Sequence, residues 1–446
     1  MPISKMEQIT VDFSDLRGQI KPMHGVNSGP FRTGAGLGNM DEFRDAGFPY
    51  VRNHDSSACL FYFGERSNDV DFIFRCFDAD ENDPKNYDFH YTDRFVQHTL
   101  NAGASMVFRL GSKIEGGDVK YNVRPPKDYG KYARICEHII AHYCRGWADG
   151  MVLPLSYWEI WCEPENRNCW DGPFEAFLPF YETMAKHLKA AYPELKIGGP
   201  GFTGCRETSG RNYPEEFLGY IRERGVPCDF FSWHCYPKDA EEMVSSVAYT
   251  RALLNRYGYE KTELVLDEWN YCAGWGKGAM TESYRYMATE EGAAFYAEVL
   301  LRAQETALDE LLYYDVRPDC SFNGLFAPYV FTPLKGYYAF WAFNKLYALG
   351  TEAASCSTSE NIAVCAAGNG QSGAVEIAYR KPETDEISVR LCHIPVGKTI
   401  TCRLTDRIHT NEKIWSFEGT SEEMTLRLPM CPSSIVLLTV DGQEQA

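Results

Sequence analysis

Glu163 and Glu268 stand 105 residues apart, in Tyr157-Trp158-Glu159-Ile160-Trp161-Cys162-Glu163-Pro164 and Leu264-Val265-Leu266-Asp267-Glu268-Trp269-Asn270. Each closes a strand-like apolar run and is followed by a loop. Paired carboxylates at strand ends, ringed by aromatics, suit cleavage of a glycosidic bond: one carboxyl protonates the leaving oxygen, and the other attacks or stabilises the sugar cation. Glu163 reads as general acid/base, since Pro164 forces a turn and a tryptophan-rich wall would raise its pKa. Glu268 reads as nucleophile, kept ionised by neighbours such as Arg52 and Tyr236. Glu159 reads as an inward-facing carboxylate with hydrogen-bond partners. Asp267 alternates away from Glu268, as a capping or pairing group.

These residues need a scaffold that brings distant strand ends together. Short apolar runs at 25–27, 50–54, 105–110, 157–163, 196–200, 229–236, 264–269 and 311–316 alternate with helical patterns at 40–46, 91–102, 129–144, 173–191, 214–224, 240–257 and 290–306. Eight strands separated by helices predict a closed (β/α)8 barrel, with its active site at the C-terminal strand ends. The pattern then shifts to short alternating runs between 355 and 440, as in a small antiparallel β-sandwich, which the segment 9–13 could join. The expected division is a barrel over 15–350 and a sandwich from 1–14 plus 351–446. Arg52, His54, Cys162, His234, Tyr236, Trp269, Trp275 and Asp315 fall at or just beyond barrel strand ends and are the candidate substrate contacts. Trp161 and Trp170 are further candidates for sugar-stacking walls.

The net charge of −18 argues against nucleic acid and anionic membranes as partners. No run reaches the roughly 18 apolar residues of a membrane span, and the first residues show no apolar stretch of signal-peptide length. Sixteen cysteines then read as free thiols in a reducing cytoplasm. His138 and His142 share a helical face, but no third ligand accompanies them, so no metal is expected. Gly34-Ala35-Gly36-Leu37-Gly38 lacks the strand-to-helix setting of a dinucleotide loop, and no Gly-x-Ser-x-Gly elbow occurs. No cofactor is expected. The partner is a glycoside or oligosaccharide, and a homo-oligomer is compatible with the sequence.

The ordered set His24-Gly25-Val26-Asn27, Val51-Arg52-x-His54, Trp158-Glu159-Ile160-Trp161-x-Glu163-Pro164, Lys196-Ile197-Gly198-Gly199-Pro200, Trp233-His234-x-Tyr236-Pro237 and Glu268-Trp269-Asn270 resembles glycoside hydrolase family 39 of clan A, which contains β-xylosidases and α-L-iduronidases. The resemblance implies a (β/α)8 barrel with a β-sandwich built from both chain ends. It also implies a retaining mechanism, with Glu163 as acid/base and Glu268 as nucleophile. Arg52, His54, His234 and Tyr236 become nucleophile-orienting or sugar-contacting residues. A β-D-xyloside is the default substrate and an α-L-arabinoside the next; an α-L-iduronide would need a cationic subsite, for which Lys113, Lys277 and Arg317 are candidates. The family usually has Asn before the acid/base, where this chain has Cys162. A thiol is a weaker donor, so the sugar is expected to be unusual at C2. A carbohydrate-binding protein without catalysis is the rival from another class.

Overall fold

The computed structural model describes residues 7–441, apart from 33–35, 56–65, 319, 321, 329 and 381–385. Gly34 and Ala35 of the glycine-rich segment lie outside the described residues. The first strand, β1 (Glu7–Gln19), belongs to a separate sheet. The next eight close into a parallel barrel: β2 (Gly25–Asn27), β3 (Tyr50–Arg52), β4 (Ser105–Leu110), β5 (Tyr157–Ile160), β6 (Lys196–Phe202), β7 (Phe230–Cys235), β8 (Glu263–Trp269) and β9 (Glu310–Tyr313). Helices α1 (Met40–Ala46), α2 (Val70–Ile73), α3 (His90–Asn101), α4 (Tyr129–Arg145) and α5 (Phe174–Ala191) run between the earlier strands. Helices α6 (Tyr213–Glu223), α7 (Ala240–Arg256), α8 (Lys277–Met287), α9 (Glu290–Gln304) and α10 (Tyr337–Leu349) follow the later ones.

The twofold period of each strand sorts its side chains into layers. Val107, Tyr157, Phe230, Val265 and Leu312 form an apolar plug inside the barrel. Two residues further along four strands, Arg109, Glu159, Ser232 and Asp267 are completely buried and polar, as is Arg52 on β3. Residues of opposite parity, among them Met106, Phe108, Trp158, Trp233, Leu264 and Leu266, join the large core beneath the helices. The apolar plug below leaves the polar layer as the floor of the strand-end mouth.

The expected second unit is a single nine-stranded sheet in the order β15-β14-β17-β12-β11-β10-β1-β13-β16. Its later strands are β10 (Thr351–Ser357), β11 (Ile362–Gly368), β12 (Gly373–Tyr379), β13 (Glu386–Cys392), β14 (Thr399–Thr405), β15 (Glu412–Glu418), β16 (Glu423–Pro429) and β17 (Ser434–Asp441). Every pairing is antiparallel except β1 with β13, which is parallel. The sheet curls around its own core, where Val11, Val375, Ile377, Val389 and Leu438 meet. On the reverse face of β11 and β12, Ala363, Ala367, Ala374 and Ala378 join the barrel-side core; these small residues let the sheet lie close against α9 and α10.

Candidate active site

The two glutamates reach one mouth by different local devices. After Ile160 the chain leaves β5 through Trp161 and Glu163, both in the left-handed region with φ of 72° and 47°. Non-glycine residues there cost about 1–3 kcal/mol each and persist only where the surroundings fix them. The fixing contacts are Trp161 N to Leu110 O at 3.2 Å, Glu163 N to Gly201 O at 2.9 Å, and Trp161 Nε1 to Cys169 O at 2.9 Å. Glu268 depends on a bulge. Trp233 pairs with Leu266, but His234 pairs with Glu268, so Asp267 is an extra residue on β8. Consecutive residues Asp267 and Glu268 therefore both reach the guanidinium of Arg52, a re-aiming that bulges commonly provide beside active sites.

Arg52 is wholly buried and organises the floor. Its Nη1 donates to Glu268 Oε1 at 2.9 Å and to Asn27 Oδ1 at 3.1 Å. Its Nε donates to Glu159 Oε2 at 2.7 Å, and its Nη2 lies 3.1 Å from Asp267 Oδ2. One guanidinium cannot balance three carboxylates in so dry a place. Burial accordingly pushes Glu159 up, whereas Arg52 and His234 keep Asp267 low although burial opposes them. Ser232 Oγ donates to the other Glu159 oxygen at 2.6 Å.

His234 bridges the two strand-end glutamates. Its Nδ1 is 2.9 Å from Glu163 Oε1 and 3.4 Å from Glu268 Oε2. Burial disfavours a charged imidazole, but Glu268 and Asp267 outweigh it and lift His234 well above the usual histidine range. One ligand atom from each of Glu163, His234 and Glu268 can be chosen so that all three lie within 4.8 Å of one another. Asn166 Nδ2 donates to Glu163 Oε2 at 2.7 Å, and Cys169 Sγ to the same oxygen at 3.4 Å. On the far side Tyr236 Oη donates to Glu268 Oε2 at 2.9 Å. His54 Nδ1 is 3.7 Å from Glu268 Oε1, and burial drives its imidazole well below the usual range, so it is neutral. Cys162 Sγ is 4.0 Å from His234 Nε2, and burial pushes the thiol up to about 11.

Several expectations need correction. Burial would raise Glu163, yet the hydrogen bonds from His234, Asn166 and Cys169 prevail and hold it below the usual carboxylate range. Glu268 shows the reverse: burial lifts it despite His234 and Arg52. Asp267 faces inward too, two residues beyond the inward Val265, and the bulge then brings Glu268 to the same side. Trp269 is completely buried among Phe295, Tyr296, Tyr313 and Phe340, on the helix side of β8, and is not a sugar contact. Trp161 and Trp170 are also buried, packed against Phe180. Asp315 is buried and bound to Arg317 through both oxygens, at 2.6 Å to N and 2.9 Å to Nε, so it supports the mouth rather than lining it. Trp275 stands on the rim, 67% exposed, with its ring 5.2 Å from that of Tyr236. Lys113 and Arg317 both reach Asp55, at 3.2 and 3.0 Å, while Lys277 is exposed at the start of α8. The residues that sequence reasoning missed are Asn27, Asn166 and Cys169; the last two follow Glu163 by three and six positions, within reach of a tight turn.

The family model for glycosyl hydrolases family 39 matches residues 44–281, more than half of the chain and both glutamate segments. The chain belongs to glycosyl hydrolase family 39. A β-xylosidase from Geobacillus stearothermophilus is 28% identical over 251 residues, covering 50% of this chain and 47% of that one. A β-xylosidase from Caldicellulosiruptor saccharolyticus is 24% identical over 257 residues, covering 54% and 49%. The chain spans about half the length of these curated relatives. Among solved structures, a glucosidase from Croceicoccus marinus superposes with a TM-score of 0.82 at 22% identity, over 98% of this chain and 99% of that one. A family 39 enzyme from Xanthomonas axonopodis pv. citri gives 0.73 at 16% identity, over 99% and 100%. At these identities the likeness is one of fold.

Proposed function

We propose that this family 39 chain is a retaining glycoside hydrolase acting on terminal sugars, with Glu268 as nucleophile and Glu163 as acid/base. The observation that carries the reading is the closeness of the two carboxylates, whose oxygens come within 4.8 Å with His234 between them. Double displacement uses carboxyls about 5–5.5 Å apart, whereas inversion needs about 6.5–9.5 Å to admit a water. Arg52 and Tyr236 each hold one Glu268 oxygen, which orients the carboxylate for attack. The proton for the leaving oxygen starts on the His234–Glu163 pair and crosses their 2.9 Å hydrogen bond to Glu163 as the glycosidic bond breaks. Once Glu268 is esterified its negative charge is gone, which favours an ionised Glu163, the form that then takes a proton from water.

A β-D-xyloside is the first substrate to test, in keeping with the names of the matched relatives. Cys162 favours a second reading, in which the sugar carries a substituted or reoriented C2, because the thiol offers little to an ordinary 2-hydroxyl. An α-L-iduronide is less favoured, since Lys113 and Arg317 are turned to Asp55. A reducing, cytoplasmic setting suits the free thiols of Cys162 and Cys169 beside the carboxylates. No helix among the described residues is long and apolar enough to cross a membrane. Kinetics of Glu163→Gln on aryl β-xylosides test the assignment. The loss in kcat/KM should be small for a dinitrophenyl leaving group and large for a poorer, unactivated phenol. Equal losses would remove Glu163 from the acid role.

A further inference from the structure

Glu163 is held by more than its immediate neighbours. Asn166 carries a side-chain amide, and only one end of that group can donate. Its Oδ1 accepts from Asn168 N at 2.9 Å, so Nδ2 is the end that meets Glu163 Oε2, at 2.7 Å. A backbone N–H can only donate, and it therefore fixes the amide in the sense that gives Glu163 a donor. Backbone bonds hold the turn itself, from Asn166 N to Glu163 O at 3.0 Å and from Cys169 N and Trp170 N to Asn166 O, both at 2.8 Å. The titratable groups around Glu163 are His234 on β7, Glu268 on β8, and Cys169 and Glu165 in the turn. Glu165 is taken up by Thr203, whose N and Oγ1 both lie 2.7 Å from its Oε1. On Glu163 Oε2 the Asn166 bond is much shorter than the 3.4 Å contact with Cys169 Sγ.

Asn168 is anchored from outside the turn. The loop between β4 and α4 buries Lys120, whose Nζ donates to Asn168 Oδ1 at 2.8 Å, to Gly117 O at 2.7 Å and to Glu115 O. None of these acceptors is a carboxylate, and a buried ammonium so placed adds little to the stability of the fold. What it does is hold and polarise its acceptors, and hydrogen bonds in a chain strengthen one another. Glu115 closes the loop, its carboxylate accepting from the backbone N of Tyr121 and Asn122 at 3.0 Å and of Val123 at 3.2 Å. Two backbone bonds then tie loop to turn, Glu115 N to Asn168 O at 2.8 Å and Asp171 N to Val123 O at 2.7 Å.

We propose that Lys120, Asn168 and Asn166 act in series as positioning residues for Glu163, fixing its Oε2 and stabilising the charge left on the carboxylate when the glycosidic oxygen takes the proton. The inference rests on the acid/base reading of Glu163. The measurement is kcat/KM of the full chain on aryl β-xylosides with two leaving groups, across the pH range. Asn166→Ala should lose about tenfold with an unactivated phenol, which needs the proton to leave, and less than about twofold with dinitrophenol, which does not. Asn166→Asp keeps the acceptor for Asn168 N but sets a second negative charge against Glu163, so the alkaline limb should rise by about one pH unit. Lys120→Met and Asn168→Leu break one link from its two sides, and each should show the same graded loss at about threefold. Glu163→Gln on the same substrates keeps the two claims apart. An ungraded loss there would remove the acid role and the relay with it. A graded loss there, beside equal losses for both leaving groups in Asn166→Ala or an unmoved alkaline limb in Asn166→Asp, would overturn the relay alone. Wild-type kinetics in both Lys120→Met and Asn168→Leu would overturn it too.

Discussion

Replacing Tyr236 by Phe removes one hydroxyl and little else. The ring keeps its edge contacts with Trp275 and Phe322, at 5.2 and 5.6 Å between centroids, so the rim should stay in place. What disappears is the 2.9 Å hydrogen bond to Glu268 Oε2. A hydrogen bond to a charged group contributes about 1.5–3 kcal/mol. Part of that stabilises ionised Glu268 over its protonated form, and 1.36 kcal/mol equals one pKa unit. Burial already lifts Glu268, so losing a donor lifts it further. The acid limb of kcat/KM should therefore move up by about one to two pH units. On the plateau, the less firmly held carboxylate should cost roughly tenfold in kcat/KM. The assay is hydrolysis of an aryl β-xyloside across the pH range, with thermal unfolding as a check on folding. An unmoved acid limb with kcat/KM within about twofold of wild type would refute the reasoning.

In wild type, kcat/KM should be bell-shaped: the acid limb, from Glu268, lies above the ordinary carboxylate value of about 4.3, and the alkaline limb, from the His234–Glu163 pair, lies above about 6.5. His234→Phe should pull the alkaline limb down, and an unchanged limb would remove His234 from the proton path. Cys162→Asn should raise kcat/KM on simple aryl β-xylosides by about tenfold, and no change would show that position 162 does not select at C2. Glu376 on β12 is completely buried, with neither oxygen hydrogen-bonded among the described residues, and burial lifts it well above the usual range. A raised carboxyl supports the fold fully below its unfolded pKa and loses that support as pH rises through the folded one. Glu376→Gln should thus stabilise by about 2 kcal/mol near pH 8 and by almost nothing near pH 4, read as Tm; an equal gain at both would contradict it.

Much of the scaffold was legible because barrel strands and helices differ in hydrophobic period. All eight barrel strands fall where apolar runs predicted them, and most helices begin within a residue or two of the predicted positions. Helix α8 was missed because only Ser283 and Met287 are buried along it, and α10 because it is apolar nearly all round. Strand β15 carries little alternation because it is an edge strand, mostly exposed and with glutamates at both ends. At the mouth, the strand-end rule brought Arg52, His54, Cys162, Glu163, His234, Tyr236 and Glu268 together. It failed where alternation breaks or decides the opposite way. A bulge set Glu268 beside Asp267 on the inner face, and the alternation that resumes after it took Trp269 to the helices. The inverted pKa directions of Glu163 and Glu268 were beyond the sequence, because they depend on which oxygen His234 touches.

The account rests on two carboxylates acting in turn at one anomeric carbon. Proton NMR of the first sugar released from an aryl β-xyloside tests this most directly, before mutarotation mixes the anomers. The β-anomer should form first; prompt appearance of the α-anomer would contradict the double displacement and the role given to Glu268.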